Sequence, residues 1–334
     1  MCTNNLKTIL MGILIIGDFM KVRLGYVSIS KALTNVTSSH SISYTNYVKN
    51  NCDINKVYYQ IEKNLIDLDK IITYNIKNNI HFYRLSANLI PLATHEKVSF
   101  DYIENFQDHY KNIRKKIKES KMRVDIHTDQ YTIINSTNKD VLTNAIKSLD
   151  HQYKVLSLLG ASKTLIVHIG SNTFGKENSL TRFINNFNKL PDYLKKAIAI
   201  ENDDKIFNIL DTLDLCKKLN TSCVLDYHHH ICNGKDNIDI KKYYQEIFAT
   251  WKSKNPKIHF SSPKNNTKKD IRSHNDYIDL DSFIDFIEEV KIYKTDIDIM
   301  IEAKEKDDAM FRLIRGLKYK TNYKFIDDTT FEVN

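Results

Sequence analysis

The chain has 334 residues, of which 42% are hydrophobic, a length and apolar share that suit one large α/β domain. Its five cysteines include no C-x-x-C pair, which argues against a disulfide framework or a thiolate zinc site and favours a reduced, cytoplasmic protein. The formal net charge of +8 favours a polyanionic partner, nucleic acid before others.

The N-terminal 20 residues are not expected to belong to the fold. Ile9 to Gly17 is an apolar run, too short to span a bilayer. It resembles a signal-peptide core, but no small-residue cleavage site follows before Lys21. We therefore interpret residues 1–20 as an extension, with Met20 as an alternative start to Met1, and we expect no membrane association.

From residue 21 onward, short apolar runs alternate with longer stretches rich in Lys, Asn and Glu. The longer stretches carry apolar residues at helical spacing, for example Ile61, Leu65, Leu68 and Ile72. The short runs are typical of buried strands. The predicted strands are Val22–Ser28, Ile80–Ser86, Met122–His127, Thr164–His168, Ala197–Glu201, Ser222–Asp226, Lys257–Ser261 and Ile297–Glu302.

Eight strand-helix units without a Pro/Gly/Ser-rich linker predict an α/β fold with a single (β/α)₈ TIM barrel over residues 21–320. Residues 321–334 are then a C-terminal tail. The alternative is an open doubly wound sheet, but the chain has neither a GxGxxG fingerprint nor a P-loop lysine motif.

Histidines and acids stand at the ends of six consecutive predicted strands. Each alone could bond the backbone or cap a helix, but in a barrel all these ends meet on one face. We therefore predict a metal site at the C-terminal face. Mixed imidazole and carboxylate ligands suit Mn²⁺ or Zn²⁺, and so many ligands imply at least two ions, which favours phosphodiester hydrolysis. These residues are His127, His168, Glu201, Asp226, His259 and Glu302.

Ten segments spread in order from about Val22 to Leu317 resemble the UV damage endonucleases, relatives of endonuclease IV among the metal-dependent TIM-barrel enzymes. They are RLGYVSIS at the start, FYRLSANLIPLATH at 82–95, MRVDIHTDQYTIINS at 122–136, LIVHIG at 165–170, AIENDDK at 199–205, VLDYHHHICN at 224–233, ATWK at 249–252, KIHFSSPK at 257–264, DIRSHNDYI at 270–278 and MIEAKEKD at 300–307.

The resemblance adds His229 and His274 to the six predicted ligands, and it implies two or three divalent ions, Mn²⁺ with Zn²⁺ as the alternative. It also implies that Lys257 is carboxylated and serves as a further anionic ligand. An unmodified Lys257 would be a phosphate contact or a repelled cation. Glu201, Glu302 and Lys257 are the residues expected to serve the chemistry.

Lesion recognition is expected from Gln130 and Tyr131, just past His127, since a polar-aromatic pair can stack and hydrogen-bond within a gapped duplex. In the similar family these positions probe the lesion while the damaged dinucleotide is flipped out. Packing of the tyrosine under its own loop is the alternative. Further DNA contacts are expected from Tyr26, His95, Lys264 and Arg272.

The implied activity is a nick immediately 5′ of cyclobutane pyrimidine dimers and 6-4 photoproducts in double-stranded DNA. Attack by metal-activated hydroxide would leave 3′-hydroxyl and 5′-phosphate ends. An abasic-site endonuclease of the endonuclease IV type is the closer alternative, and a TIM-barrel sugar isomerase is more distant. A non-catalytic damage binder would need a broken ligand set. No obligate protein partner is indicated.

Overall fold

The computed structural model describes residues 19–265, 267 and 270–334. Eight parallel strands follow one another around a closed barrel, because β1 pairs with both β8 and β2. The predicted single barrel is thus confirmed. The strands are β1 (Met20–Val27), β2 (Phe82–Leu85), β3 (Arg123–His127), β4 (Leu165–His168), β5 (Ile198–Glu201), β6 (Ser222–Asp226), β7 (Lys257–Phe260) and β8 (Ile297–Ile301).

Helices connect the strands. Their apolar faces form the core against the barrel, as in α2, where Ile61, Leu65, Leu68 and Ile72 are all buried. Burying one such side chain is worth about 1.5–3 kcal/mol. The helices are α1 (Tyr44–Lys49), α2 (Ile54–Lys77), α3 (Gln107–Ser120), α4 (Lys139–Leu158), α5 (Lys176–Asn188), α6 (Asp192–Ala197), α7 (Ile209–Leu219), α8 (Tyr227–Asn233), α9 (Tyr244–Ala249), α10 (Leu280–Val290) and α11 (Lys306–Lys320).

A C-terminal hairpin extends the sheet beside β1. Its strands are β9 (Lys324–Phe325) and β10 (Thr330–Val333), and β10 runs antiparallel to the first half of β1, from Met20 opposite Val333 to Arg23 opposite Thr330. The second half of β1 pairs with β2. The predicted tail therefore contains two short strands of the sheet. Of the predicted N-terminal extension, residues 1–18 lie outside the described part of the chain.

Charged side chains close the N-terminal end of the barrel. Asp298 of β8 is fully buried, and it pairs with Arg23 over 2.6 Å and with Arg123 over 2.7 Å. A buried carboxylate is tolerated only when it is paired in this way. The predicted metal ligands stand at the opposite, C-terminal end of the strands. No helix within the described ranges has the length and apolar character needed to cross a membrane.

Candidate metal centre

The six side chains predicted at strand ends lie on one face of the barrel, because parallel strands of similar length all finish at the same rim. Their strands are short and buried, and three of the six side chains, those of Glu201, Asp226 and His259, are themselves buried. The six are His127 ending β3, His168 ending β4, Glu201 ending β5, Asp226 ending β6, His259 within β7 and Glu302 directly after β8.

Glu201 is at the centre of this group. Its Oε2 lies 2.8 Å from Nε2 of His127, and its Oε1 lies 3.0 Å from Nδ1 of His259. Two sets of possible ligand atoms, each within 4.8 Å of one another, both include Glu201. One set adds His127 and His168, and the other adds Asp226 and His259. A carboxylate shared by two ligand sets is suited to bridging two cations.

His229 joins the cluster from the first turn of α8. Asp226 caps that helix, since its Oδ1 accepts a hydrogen bond from the His229 backbone N–H over 2.7 Å. The His229 ring places Nδ1 at 3.5 Å from Glu201 and 3.6 Å from Asp226. Asn202 holds the ring with its backbone carbonyl 2.9 Å from that nitrogen. Asp226 therefore fixes the helix start from which His229 approaches the cluster.

Burial and the neighbouring carboxylates shift the pKa values of several side chains in the cluster. Burial raises the pKa of Asp226 well above its usual range, and Glu201 and Glu302 add to the effect. Burial would lower the pKa of His229, but Asp226 and Glu201 outweigh it and raise that pKa to about 9. Burial lowers the pKa of His259 to about 3, which keeps its imidazole neutral, the form that binds metal.

The donor set fits a divalent cation. Asp226 Oδ2 and His168 Nδ1 are buried, and neither has a hydrogen-bond partner among the described residues. Such orphaned atoms are costly unless an ion or solvent satisfies them. Imidazole nitrogens and carboxylate oxygens without thiolate are the ligands of Mn²⁺ and Zn²⁺.

His274 lies at the edge of the centre, outside both ligand sets. It sits in the loop after β7, where its backbone bridges to Pro263, and its ring packs edge-on against His228 at 5.3 Å. Burial lowers the pKa of His274, an effect that Glu302 opposes. The structure therefore brings His274 near the cluster but not among its closely spaced atoms.

Lys257 lies two residues before His259 on β7 and is fully buried. Its Nζ donates a hydrogen bond to Oδ1 of Asp125 over 2.7 Å and stands 5.1 Å from the centre of the Phe82 ring. Burial lowers the pKa of Lys257 to about 7, although Asp125 opposes the shift. The amine is thus directed at an acid beneath the ligand residues.

A sequence model of the UV-endonuclease UvdE family matches residues 22–332. This chain belongs to the UvdE family. It is 38% identical over 311 residues to a UV DNA damage endonuclease of Bacillus cereus (strain B4264), covering 90% of this chain and 97% of that protein. A Bacillus anthracis (strain A0248) relative of the same name is 37% identical over 319 residues, covering 94% and 100%.

Solved structures agree with the UvdE assignment. The crystal structure of SacUVDE matches with a TM-score of 0.81 at 31% identity and covers 89% of this chain and 98% of its own. Endonuclease IV from Thermus thermophilus matches with a TM-score of 0.55 at 12% identity and covers 89% and 99%, a likeness in fold alone. The resemblance seen in the sequence is thus confirmed.

In this UvdE-family chain, Gln130 and Tyr131 are exposed on the loop after β3, and Tyr131 keeps 73% of its surface open to solvent. Asp129 shapes the loop by accepting a hydrogen bond from the Tyr131 backbone N–H over 2.8 Å. Packing of the tyrosine under its own loop does not occur.

The Tyr26 side chain does not open onto this face of the UvdE barrel, although its backbone lies beside Ile301 near the end of β1. Its side chain is fully buried, and its hydroxyl donates to Asn75 of α2 over 2.8 Å, so it points between barrel and helix. The side chain is thus closed off from solvent in this structure, and its contact with a lesion stays a prediction. His95 is partly exposed on the loop after β2 and stacks on Tyr44 with ring centres 4.0 Å apart.

The two predicted phosphate contacts, Lys264 and Arg272, both follow β7 in the chain. Lys264 is exposed. Arg272 keeps about half of its side chain exposed, at 47%, and lies 3.4 Å from Asp204. Both side chains are therefore accessible to solvent, and Arg272 would exchange its contact with Asp204 for one with a phosphate.

Three residues at the UvdE centre were not predicted from the sequence. Asp125 accepts from Lys257, and Asn202 orders Asp226 and His229. Arg84 of β2 places Nη2 at 2.6 Å from Glu302 Oε1. A charged residue inside the buried run FYRL was the available signal for Arg84, because an arginine is rarely buried unless it is paired.

Proposed function

We propose that the protein is a metal-dependent DNA repair endonuclease that nicks double-stranded DNA immediately 5′ of UV photoproducts. The proposed products are 3′-hydroxyl and 5′-phosphate ends. The observation that carries the proposal is Glu201, shared by two ligand sets at the C-terminal face of a UvdE-family barrel. Membership of the family supports UV-damaged DNA as the substrate.

The proposed ligands are those predicted from the sequence. The two sets around Glu201 support His127, His168, Asp226 and His259 most directly. Glu302 and His229 approach the same atoms, and His274 stands at the rim. Two or three divalent ions, Mn²⁺ first and Zn²⁺ as the alternative, would activate water for attack on phosphorus and neutralise charge on the departing oxygen.

Residues of the chain prepare the site for that chemistry. Glu201 and Glu302 supply negative charge from the rim, and the neutral ring of His259 offers its Nδ1 between them at 3.0 and 3.2 Å. Lys257 is proposed to be carboxylated, because a pKa near 7 leaves much of its amine neutral and able to react with carbon dioxide.

DNA recognition is proposed for the loops around the rim. Tyr131 is exposed enough to stack against a base, with Gln130 beside it to hydrogen-bond. His95 offers a further contact, and Lys264 and Arg272 would neutralise phosphates.

A nicking assay tests the proposal. Duplexes carry one cyclobutane dimer, one 6-4 photoproduct, one abasic site or no lesion, each with Mn²⁺, Zn²⁺ or chelator. We expect nicking 5′ of both photoproducts with metal and none with chelator. Cleavage confined to the abasic duplex would replace the proposal with an endonuclease IV-type activity, and cleavage undiminished by chelator would remove the metal requirement.

A further inference from the structure

Arg84 is a buried cation on β2, a strand that carries none of the predicted ligands, and its side chain contacts the metal centre. The six strand-end ligands come from β3 to β8. Strands β1 and β2 close the barrel between β8 and β3 and contribute none of them. Arg84 lies on β2 and is only 7% exposed.

Its contacts cross the barrel to residues of other strands. The Nη2 atom lies 2.6 Å from Glu302 Oε1 and 2.6 Å from Nε2 of His259. The Nε atom is buried without a hydrogen-bond partner in the described part of the chain. The polar interactions of this side chain are therefore concentrated at the end that meets the ligands.

We infer that Arg84 is a positioning residue, which holds Glu302 and His259 in the ligand cluster and neutralises part of its negative charge before any ion binds. The inference rests on the proposed metal centre. An arginine is suited to this role because its charge is permanent and its planar guanidinium is rigid. Partners of this kind fix the orientation of metal-binding side chains.

The inference makes a prediction that simple packing does not. If Arg84 only fills space, replacing it with methionine lowers stability equally with and without metal. If it neutralises Glu302, the loss is greatest in metal-free protein, where a buried carboxylate is left unpaired. Mn²⁺ then takes over the neutralisation, so the variant gains more stability from metal than the wild type does.

The experiment compares thermal midpoints of metal-free and Mn²⁺-loaded wild type and Arg84→Met. We expect the metal-free variant to melt lower, and its rise on adding Mn²⁺ to exceed that of the wild type by roughly 5 °C. Arg123→Met is the matched control, since Arg123 is also a barrel arginine with little exposed surface but pairs with Asp298 at the opposite end. That variant should melt lower yet show the wild-type response to Mn²⁺.

Two further variants keep the test decisive. Adding Glu302→Gln to Arg84→Met should raise the metal-free midpoint, because the unpaired charge is removed. Should Arg84→Met not fold, Arg84→Lys, which keeps the charge but loses the fork, should show a smaller excess of the same sign. If the thermal midpoints of wild type and the Arg84 variants rise equally on adding Mn²⁺, the inference about Arg84 is wrong, while the proposed metal centre still stands. A wild type whose midpoint does not respond to Mn²⁺ overturns the proposed metal centre and this inference with it.

Discussion

The Nζ atom of Lys257 and the Oδ1 atom of Asp125 are joined by a 2.7 Å hydrogen bond that no solvent reaches. The pair sits directly beneath two ligand residues, since each partner lies two positions before a histidine of the centre on the same strand. A lysine so placed is available for chemistry that an exposed lysine, protonated at neutral pH, cannot perform.

Carboxylation of Lys257 should depend on pH. The neutral amine attacks carbon dioxide, forms an N–C bond and releases one proton, so the protonated amine cannot react. With a pKa of about 7, the reactive fraction rises as pH increases through 7. Carbon-13 NMR of protein incubated with labelled bicarbonate should show a carbamate signal that grows from about pH 6 to about pH 8. Lys257→Met should lack the signal, and a signal that persists in this variant would place the modification elsewhere.

Replacing Glu201 or Glu302 with glutamine should abolish nicking while the fold persists. Each change removes a negative charge from the ligand cluster but keeps the side-chain shape. Activity, metal content per chain and thermal midpoint are measured together. The control is Glu246→Gln, an exposed acid on α9. Full activity in either ligand variant would contradict the metal assignment.

Much of the fold was predictable because the strand signal is strong. The run Ser222–Asp226 was predicted with the bounds that the structure shows. The convergence of the strand-end ligands followed from the barrel itself. The orientation of Tyr26 did not, because both faces of a parallel barrel strand are buried and its sequence carries no polar alternation. The C-terminal hairpin was also missed, because its pairing with β1 depends on contacts remote in sequence.

Binding to damaged duplex DNA should weaken steeply with salt. The logarithm of the association constant should fall by roughly 0.9 for each contacted phosphate per unit of log salt. Lys264→Ala and Arg272→Ala should each reduce that slope by about 0.9. Lys318→Ala on α11 serves as the control. An unchanged slope in both loop variants would move the phosphate contacts to other cations, and a flat response in the wild type would contradict a DNA substrate.

Lesion recognition should separate from metal binding at Gln130 and Tyr131. Tyr131 is 73% exposed and makes no side-chain hydrogen bond among the described residues, so its removal should leave the centre intact. Losing one base-aromatic stack costs about 1–3 kcal/mol, or roughly 5- to 150-fold in affinity. Tyr131→Ala should therefore weaken binding to a photoproduct duplex by that factor, and the double change with Gln130→Ala should weaken it further.

The measurement is affinity for a photoproduct duplex relative to its undamaged twin, with bound metal per chain determined on the same samples. Tyr319→Ala, at a side chain that is 95% exposed on α11, controls for loss of an exposed aromatic ring. Because the loop is shaped by Asp129 and not by the tyrosine ring, metal content should stay at the wild-type level. If the double variant discriminates as well as the wild type, Gln130 and Tyr131 do not read the lesion, and the specificity question moves to Tyr26 and the other βα loops.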